Sequence, residues 1–190
     1  MRVALGGFAP LFPGCRERAM KTTQRKAGFT LIELIIVVAI LVMMITVAMP
    51  LFFQIIAQRR LTGAVERLAT DLRYIQSLAV TQGTVHRLHS GADGAVGRPG
   101  EYRLERDNGG GGWDGVAAWY NPSADYDGSA LQSVKDNAGT AIGTFDVRFN
   151  AQGAVANTGV GSYPIVLTVV ATNGTTRTVQ VMRTGAVRVP

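Results

Sequence analysis

An uncharged, strongly apolar run near the N-terminus constrains this chain more than any other feature. No charged residue lies between Leu34 and Gln58, and residues 34–45 are wholly apolar. A helix rises about 1.5 Å per residue, so the roughly 20 residues that cross a bilayer core of about 30 Å fit within this run. A secretory signal has a shorter apolar region, of about 7 to 15 residues. The run therefore predicts a membrane-spanning helix over residues 29–58.

The basic charge of the chain is concentrated ahead of that run. The formal net charge is +6, and residues 1–28 contribute +5 of it, because six lysines and arginines there are offset only by Glu17. Basic flanks of membrane helices stay in the cytoplasm, so we expect the N-terminus inside and the rest of the chain outside. The +1 that remains after residue 28 gives little reason to expect a nucleic-acid partner.

A lone carboxylate, Glu33, stands at the front of the apolar run. Placing an ionised carboxylate within a bilayer costs about 2.5 to 3.5 kcal/mol even on lenient scales, so it should have a partner. A plain uncleaved anchor leaves this residue unexplained.

The residues around Glu33 carry a resemblance to a known class of proteins. The segment Lys26-Ala27-Gly28-Phe29-Thr30-Leu31-Ile32-Glu33-Leu34 resembles the class III signal of type IV pilins and type II secretion pseudopilins. The resemblance implies that a prepilin peptidase cuts after Gly28 and methylates Phe29, and that the helix remains as an assembly stem. An ammonium on Phe29 of an incoming subunit would neutralise Glu33 of its neighbour, and breaking such a buried pair costs about 3 to 5 kcal/mol.

The same resemblance bears on the leader and on the partners. A start at Met20 gives a leader of more typical length, so residues 1–19 need not be translated. The only cysteine, Cys15, lies in the leader, which leaves no thiol for a disulfide, a nucleophile or a metal site in the mature chain. The implied partners are membrane lipid, the prepilin peptidase and other pseudopilins or minor pilins, and no cofactor or metal is implied.

The residues that follow the apolar run predict a second helical half. Pro50 falls inside the helical pattern and predicts a kink. After Arg59 and Arg60, apolar residues alternate in steps of four and three, which is typical of one stripe of an amphipathic helix over residues 59–82. The stripe consists of Leu61, Val65, Leu68, Leu72, Ile75 and Ala79. Packing of the stripe on a sheet is favoured over a coiled coil, because the pattern is short.

Residues 83–190 have the texture of a β-rich head, with short β-prone runs divided by Gly, Asn, Asp and Pro. The predicted strands are Thr84–Leu88, Tyr102–Glu105, Val116–Tyr120, Phe145–Phe149, Ile165–Ala171, Arg177–Met182 and Ala186–Val189. Asn173-Gly174 and Thr184-Gly185 predict hairpin turns. We therefore expect an α+β fold in which a long N-terminal helix, transmembrane and then amphipathic, packs on a small antiparallel β-sheet meander.

Three segments of the head narrow the resemblance. Residues 78–87, 147–153 and 177–188 are similar to the GspH/FimT family of minor pseudopilins and pilins. This implies a minor pseudopilin of a type II secretion system, a single-pass inner-membrane protein with a periplasmic head. The alternative is a FimT-like minor pilin acting in pilus biogenesis or DNA uptake. That branch carries a Gly-Arg-x-Arg element, and here Gly185-Ala186-Val187-Arg188 lacks the first arginine, which leaves Arg183 and Arg188 as candidate DNA contacts.

Other candidate sites favour structural interpretations. His86 and His89 would point to opposite faces of a strand and are expected on the surface or in loops. The glycine-rich run Asp107–Gly115 lacks a phosphate-binding motif and is expected to be a mobile loop. A calcium site from Asp125, Asp127 and Asp136 with Asn137 misses the EF-hand spacing.

The remaining residues indicate neither a catalytic site nor a specific interface. No nucleophile elbow or paired-carboxylate arrangement is present, so an enzyme is not expected. Aromatic residues cluster in the middle of the head. Such residues are enriched at protein interfaces, and core packing of the sheet is favoured at least equally. The clustered residues are Trp113, Trp119, Tyr120 and Tyr126.

Overall fold

The structure, a computed structural model, describes residues 28–91, 97–142, 146–157 and 160–190. It divides into two compact units, Met1–Met44 and Ile45–Pro190. Residues 1–27 of the predicted leader lie outside the described residues, as does Phe145 of one predicted strand.

A single long helix, α1, runs from Leu31 to Gln82. In the part of the chain that the structure describes, it is the one helix whose length and composition suit a membrane span. Helical backbone continues through Pro50, and the kink there stays a prediction.

The described residues of the head form eight strands and a second, four-residue helix. The strands are β1 (His86–Ser90), β2 (Tyr102–Asp107), β3 (Trp113–Gly115), β4 (Ala130–Lys135), β5 (Asp146–Phe149), β6 (Ile165–Val170), β7 (Thr176–Val181) and β8 (Val187–Arg188). The helix α2 covers Pro122–Asp125 and is capped by the Asn121 side chain.

These strands form two antiparallel sheets. The first sheet has the order β3-β2-β1-β5, and the second has the order β4-β6-β7-β8. The predicted stripe of α1, from Leu61 to Ala79, is buried in one core with apolar residues of both sheets. The predicted α+β fold, with a long helix and antiparallel strands, is confirmed.

Parts of the strand prediction are wrong. β4 was not predicted, because a register shift between Leu131 and Ser133 places its buried residues three apart and hides the alternation of a strand. Residues 116–120 form no strand, and β3 lies just before them instead. The head is also not one meander, since β4 leaves the first sheet and β5 returns to it.

Both predicted hairpin turns are present, and one of them is tightly packed. Gly174 and Gly185 have φ values of 79° and 88° in the β6–β7 and β7–β8 turns. A Cβ on Gly185 would overlap the Gly153 carbonyl and the Gln76 side chain of α1. Gln76 Nε2 donates to that carbonyl at 2.7 Å, so helix, loop and hairpin turn meet at one point.

The face of the first sheet that points away from the core carries buried charge. Glu105 and Asp146 are both buried there. Arg87 lies between them, donating from Nε to Glu105 Oε2 at 2.6 Å and from Nη1 to Asp146 Oδ2 at 2.9 Å. Arg103 donates to Glu105 at 2.8 Å, and Arg148 donates to Asp146 at 3.0 Å. Both carboxylates are thus paired, which buried charges require.

Tryptophan rings cover these arginines. The guanidinium carbon of Arg87 lies 4.0 Å from the centre of the Trp113 ring, and that of Arg103 lies 5.1 Å from the centre of the Trp119 ring. Such cation–π contacts are worth about 0.5 to 2 kcal/mol each. We refer to Arg87, Arg103, Glu105, Asp146, Arg148, Trp113 and Trp119 together as the outer ionic layer.

Glu105 makes this layer sensitive to pH. Burial alone would raise the pKa of Glu105, but hydrogen bonds and charge attraction from Arg103 and Arg87 outweigh it and hold the pKa below its usual value of 4.5. A carboxylate with a lowered pKa in the folded state adds stability above its unfolded-state pKa, and this stability is lost as the pH falls through the folded-state pKa.

We expect Gly185→Ala to lower the free energy of unfolding by about 2 to 4 kcal/mol, because the methyl group has no space and the positive φ is strained for alanine. Gly174→Ala is the matched control, since φ is also positive there but no atom lies within 4 Å of the new Cβ. It should cost only about 1 to 2 kcal/mol. Chemical unfolding of the full chain in neutral detergent measures both, and equal losses would refute the close contact at Gly185.

Acid should weaken the wild-type head through Glu105. We expect the free energy of unfolding to fall as the pH drops from the usual glutamate value of 4.5 through the lower pKa of folded Glu105. Glu105→Gln should cost about 2 to 4 kcal/mol at pH 7 and should make the acid limb flatter. Glu66→Gln removes an exposed glutamate and should keep the wild-type profile. An unchanged acid limb in Glu105→Gln contradicts the assignment.

Candidate assembly motif and head surfaces

The start of α1 is fixed by a threonine cap. Gly28, Phe29 and Thr30 precede the helix. Thr30 Oγ1 accepts a hydrogen bond from the Glu33 backbone N–H at 3.2 Å, and the Thr30 carbonyl accepts one from the Leu34 N–H at 3.2 Å. A threonine followed three residues later by glutamate is a helix-start signature. The sequence carries this signal, although the resemblance to pilins implies no role for Thr30.

Glu33 lies in the first turn of α1 and is exposed. Its cap bond uses the backbone N–H, which any residue but proline can supply, so the carboxylate is not needed for that bond. Within the described residues, no side chain is hydrogen-bonded or ion-paired to the carboxylate. The helix dipole favours an anion at this end by about 0.3 to 1 kcal/mol. Glu33 is therefore a carboxylate with both oxygens open to a partner.

Apolar side chains around and after Glu33 are also exposed. Phe29 is 82% exposed, and exposed large apolar side chains recur from there to Ile55. No described residue of the chain covers this surface, which is far more apolar surface than a soluble monomer leaves in water. Lipid or other apolar helices are the environments that match it.

In the head, residues 116–120 arch over β2. The Val116 N–H donates to the Leu104 carbonyl at 2.8 Å, while Tyr120 and Tyr102 exchange backbone hydrogen bonds of 2.8 and 3.0 Å. A pocket of about 510 Å³ lies between this arch, β2 and α1. The segment needs four residue steps, from Val116 to Tyr120, to span two steps of β2, from Leu104 to Tyr102, so its middle bulges out of the ladder and it is not itself a strand.

Polar groups in this pocket join helix to sheet. The Tyr102 hydroxyl donates to Asp71 Oδ2 at 2.7 Å, and Arg67 Nε donates to the same oxygen at 3.2 Å. Burial, followed by the neighbouring Asp71 carboxylate, raises the pKa of Tyr102 far above its usual value. Burial and a hydrogen bond to Asp125 likewise raise the pKa of Tyr120. Both phenols therefore stay protonated at neutral pH and cannot serve as bases.

The expectation that the two histidines lie on the surface or in loops is wrong. Both are in β1, where His86 is fully buried and His89 is 7% exposed. β1 is a central strand, paired with β2 and β5 on its two edges. They do lie on opposite faces, as their spacing predicted. His89 stacks edge-on against Trp119 with ring centres 5.9 Å apart.

The expected loop at residues 107–115 is instead a β-hairpin. Asp107 ends β2, Trp113 begins β3, and these two residues face each other in the register. The Asn108 side chain accepts hydrogen bonds from the N–H groups of Gly110 and Gly112, at 2.9 and 3.0 Å, and so orders the turn.

The aspartates considered for calcium are engaged separately. Asp125 accepts from Tyr120, Asp127 pairs with Arg60 at 2.7 Å, and Asp136 caps its own turn. Among the described residues, no group of three or more histidine, cysteine or acidic side chains is placed to hold a metal ion.

The four clustered aromatics are divided between two roles. Trp113 and Trp119 are half-buried in the outer ionic layer. Tyr120 and Tyr126 pack against the core. Gly63 of α1 makes room for Tyr126, because a Cβ there would lie 2.5 Å from its ring.

Arginines are exposed near the C-terminal hairpin. Arg183 lies in the β7–β8 turn and Arg188 in β8, and both are exposed. Arg73 of α1 joins them, since its Nη2 donates to the Val187 carbonyl at 3.3 Å. None of the three forms an ion pair within the described residues. The sequence contains no acidic side chain after Asp146, so this hairpin has a locally positive surface.

Comparison with family models gives two matches along the chain. Residues 23–49 match the prokaryotic N-terminal methylation motif. Residues 64–185, more than half of the chain, match the type II transport protein GspH. No curated protein sequence gives a significant match.

Comparison with solved structures finds two similar proteins. The minor pseudopilin EpsH from the Type 2 Secretion System of Vibrio cholerae superposes with a TM-score of 0.50 at 11% identity, covering 69% of this chain and 96% of that chain. The type IV minor pilin FimU of Pseudomonas aeruginosa gives a TM-score of 0.47 at 16% identity, covering 70% of this chain and 90% of that chain.

The GspH match covers most of the amphipathic part of α1 and most of the head, and the methylation motif covers the start of α1. Similarity to EpsH is a likeness of fold. The chain therefore belongs to the GspH family of type II transport proteins, and it has the family's type IV pilin-like α+β fold behind an N-terminal methylation motif.

Proposed function

We propose that the chain is a minor pseudopilin of a type II protein secretion system that joins the pseudopilus tip through its N-terminal helix. The observation that carries the proposal is Glu33, an exposed carboxylate without a partner among the described residues, in the first turn of an exposed apolar helix. The GspH match and the methylation motif support it. The proposal requires no catalysis.

The proposed processing gives Glu33 its partner. The prepilin peptidase cuts after Gly28, and the methylated ammonium of Phe29 then lies just before the Thr30 cap. This is the positive end of the α1 dipole, where a cation is disfavoured. The Glu33 carboxylate of a neighbouring subunit pairs with this ammonium. The pair offsets the unfavourable position of the cation and leaves neither charge without a partner.

The proposed topology follows the same division of the chain. Residues 1–28 form the leader, residues 29–58 the membrane and assembly helix, residues 59–82 its amphipathic half, and residues 83–190 the head. The chain crosses the inner membrane once, with the N-terminus in the cytoplasm and the head in the periplasm. Lipid surrounds the helix before assembly, and helices of other pseudopilins surround it afterwards.

A FimT-like minor pilin is the second candidate, in pilus biogenesis or DNA uptake. The exposed, unpaired Arg183 and Arg188 beside Arg73 favour it. Three arginines give limited counterion release, which supplies most of the non-specific affinity for DNA. The secretion assignment therefore ranks first.

Substitution of Glu33 tests the assembly proposal in cells that contain the peptidase and the partner pseudopilins. Glu33→Gln keeps the size and polarity of the side chain but removes its charge. We expect normal membrane insertion and a chain that begins at methylated Phe29 by mass spectrometry. We also expect recovery of cross-linked partner pseudopilins to fall about a hundredfold, since a lost buried pair is worth about 3 kcal/mol.

Thr30→Ala is the matched control for the Glu33 experiment. It removes the side-chain cap at a cost of about 0.5 to 2 kcal/mol but keeps the carboxylate, so assembly should largely survive. Normal assembly of Glu33→Gln together with failure of Thr30→Ala would show that the helix start matters and the charge does not.

DNA binding separates the two candidate functions. With the full chain in nanodiscs of neutral lipid, we expect duplex DNA to bind no more tightly than about 10⁻⁴ M at physiological salt. The FimT-like function would instead give tighter binding that falls steeply with salt. This tighter DNA binding would be lost in the Arg183→Ala/Arg188→Ala double variant. It would be retained in Lys135→Ala, which removes an exposed lysine of β4.

A further inference from the structure

The second sheet has an edge that β8 covers only in part. β7 has six residues and pairs along its whole length with β6, without a register shift. On its other side, β8 pairs only with Gln180 and Val181. Within the described residues, the outer edge of Thr176–Val179 therefore has no neighbouring strand. We refer to this stretch as the open β7 edge.

The hydrogen bonds that close the β6–β7 and β7–β8 hairpins show which backbone groups of β7 face away from β6. The Met182 N–H donates to the Ala186 carbonyl, and the Ala171 N–H donates to the Thr175 carbonyl, both at 2.9 Å. Hydrogen-bonded pairs alternate along an antiparallel ladder. Arg177 and Val179 therefore bond to β6, while the N–H and C=O groups of Thr176 and Thr178 point to the open side.

Other strand edges in the described part of the head are bordered by a segment of the chain, contacted by a side chain, or short. β5 is bordered by residues 155–157, which bond back to it through the Ala156 N–H and the Asn157 side chain. β4 is bridged by Gly100 and Ala141. The outer side of β8 accepts the Arg73 guanidinium at its Val187 carbonyl, and β3 has only three residues.

Arginines on and beside the open β7 edge give it positive charge. Arg177 lies on the edge, and Arg183 and Arg188 are on the adjoining turn and strand. All three are exposed, and none forms an ion pair with a described residue. Pairing this edge with the same edge of a second copy would bring the two sets of arginines together without any acidic side chain from residues 147–190. An acidic strand from a different protein avoids this repulsion.

We propose that the open β7 edge binds an extended acidic segment of a partner protein as an added strand. Thr176 and Thr178 supply two donors and two acceptors for the backbone ladder, which gives the affinity of strand addition. Arg177, Arg183 and Arg188 select glutamate or aspartate side chains in the added segment. The site is separate from the Glu33 stem, so it does not depend on whether the chain serves secretion or pilus biogenesis.

A fluorescent peptide tests the edge directly. The probe is a peptide of about seven residues that alternates glutamate with valine or threonine, added to the full chain in nanodiscs of neutral lipid. We expect saturable binding by fluorescence polarisation. We also expect slower amide exchange at Thr176 and Thr178 than without peptide. A peptide with lysine in place of glutamate should bind at least about tenfold more weakly.

Two substitutions at one position separate the ladder from general charge. Thr178→Pro removes an outward N–H, and proline is tolerated on an edge strand when its missing donor faces solvent. It should weaken binding of the acidic peptide by about tenfold, which corresponds to one lost hydrogen bond. Thr178→Val keeps the backbone donor and should stay within about twofold of wild type.

The remaining outcomes would overturn the proposal. Absence of acidic-peptide binding at millimolar concentration excludes the site. If Thr178→Pro binds the acidic peptide as tightly as wild type does, the edge is a general polyanion surface. The same conclusion follows if a DNA duplex displaces the peptide completely and the peptide leaves amide exchange at Thr176 and Thr178 unchanged. Self-association of the chain that Thr178→Pro abolishes would assign the edge to a second copy instead.

Discussion

Burial of the apolar stripe on α1 is the requirement on which the head depends. Leu61 to Ala79 can leave water only if strands from both sheets pack around them, and the core contains residues from both. Polar contacts beside the stripe fix the rotation of the helix. Asp71 bonds to β2 of the first sheet, Arg73 bonds to β8 of the second, and Gln76 bonds to the loop at Gly153. Turning the helix by one residue, about 100°, would break all three and expose the stripe.

Sequence patterns predicted the elements that are regular. The apolar residues of the α1 stripe follow the helical period. β-prone runs lie on both sides of Asn173-Gly174 and form the β6–β7 hairpin, so both elements could be predicted from the sequence. β4 was missed because its register shift changes the spacing of its buried residues from two to three. Residues 116–120 have strand-forming side chains, but two attachments to β2 hold them as an arch. Local pattern cannot show which distant strand a segment will meet.

Burial of charge was the other property that the sequence concealed. Arg87, Glu105 and Asp146 lie far apart in the chain and look like ordinary surface residues until the β1–β2 and β1–β5 registers place them side by side. The histidines were misjudged for the same reason, since β1 becomes a central strand only through pairing with β5, more than 50 residues later. In contrast, the methylation motif over residues 23–49 is contiguous, so it could be recognised without any knowledge of the fold.

The outer ionic layer has an electrical consequence for the whole head. Three arginines and two carboxylates largely cancel one another there, so the first sheet projects only a weak field into the solvent. The β6–β8 side has arginines and no acidic residue after Asp146. The head therefore has a small net charge but a dipole moment, because its positive potential lies on one flank, the β6–β8 side. An approaching acidic protein would experience a torque that turns this flank toward it before contact, at distances up to a Debye length of about 8 Å.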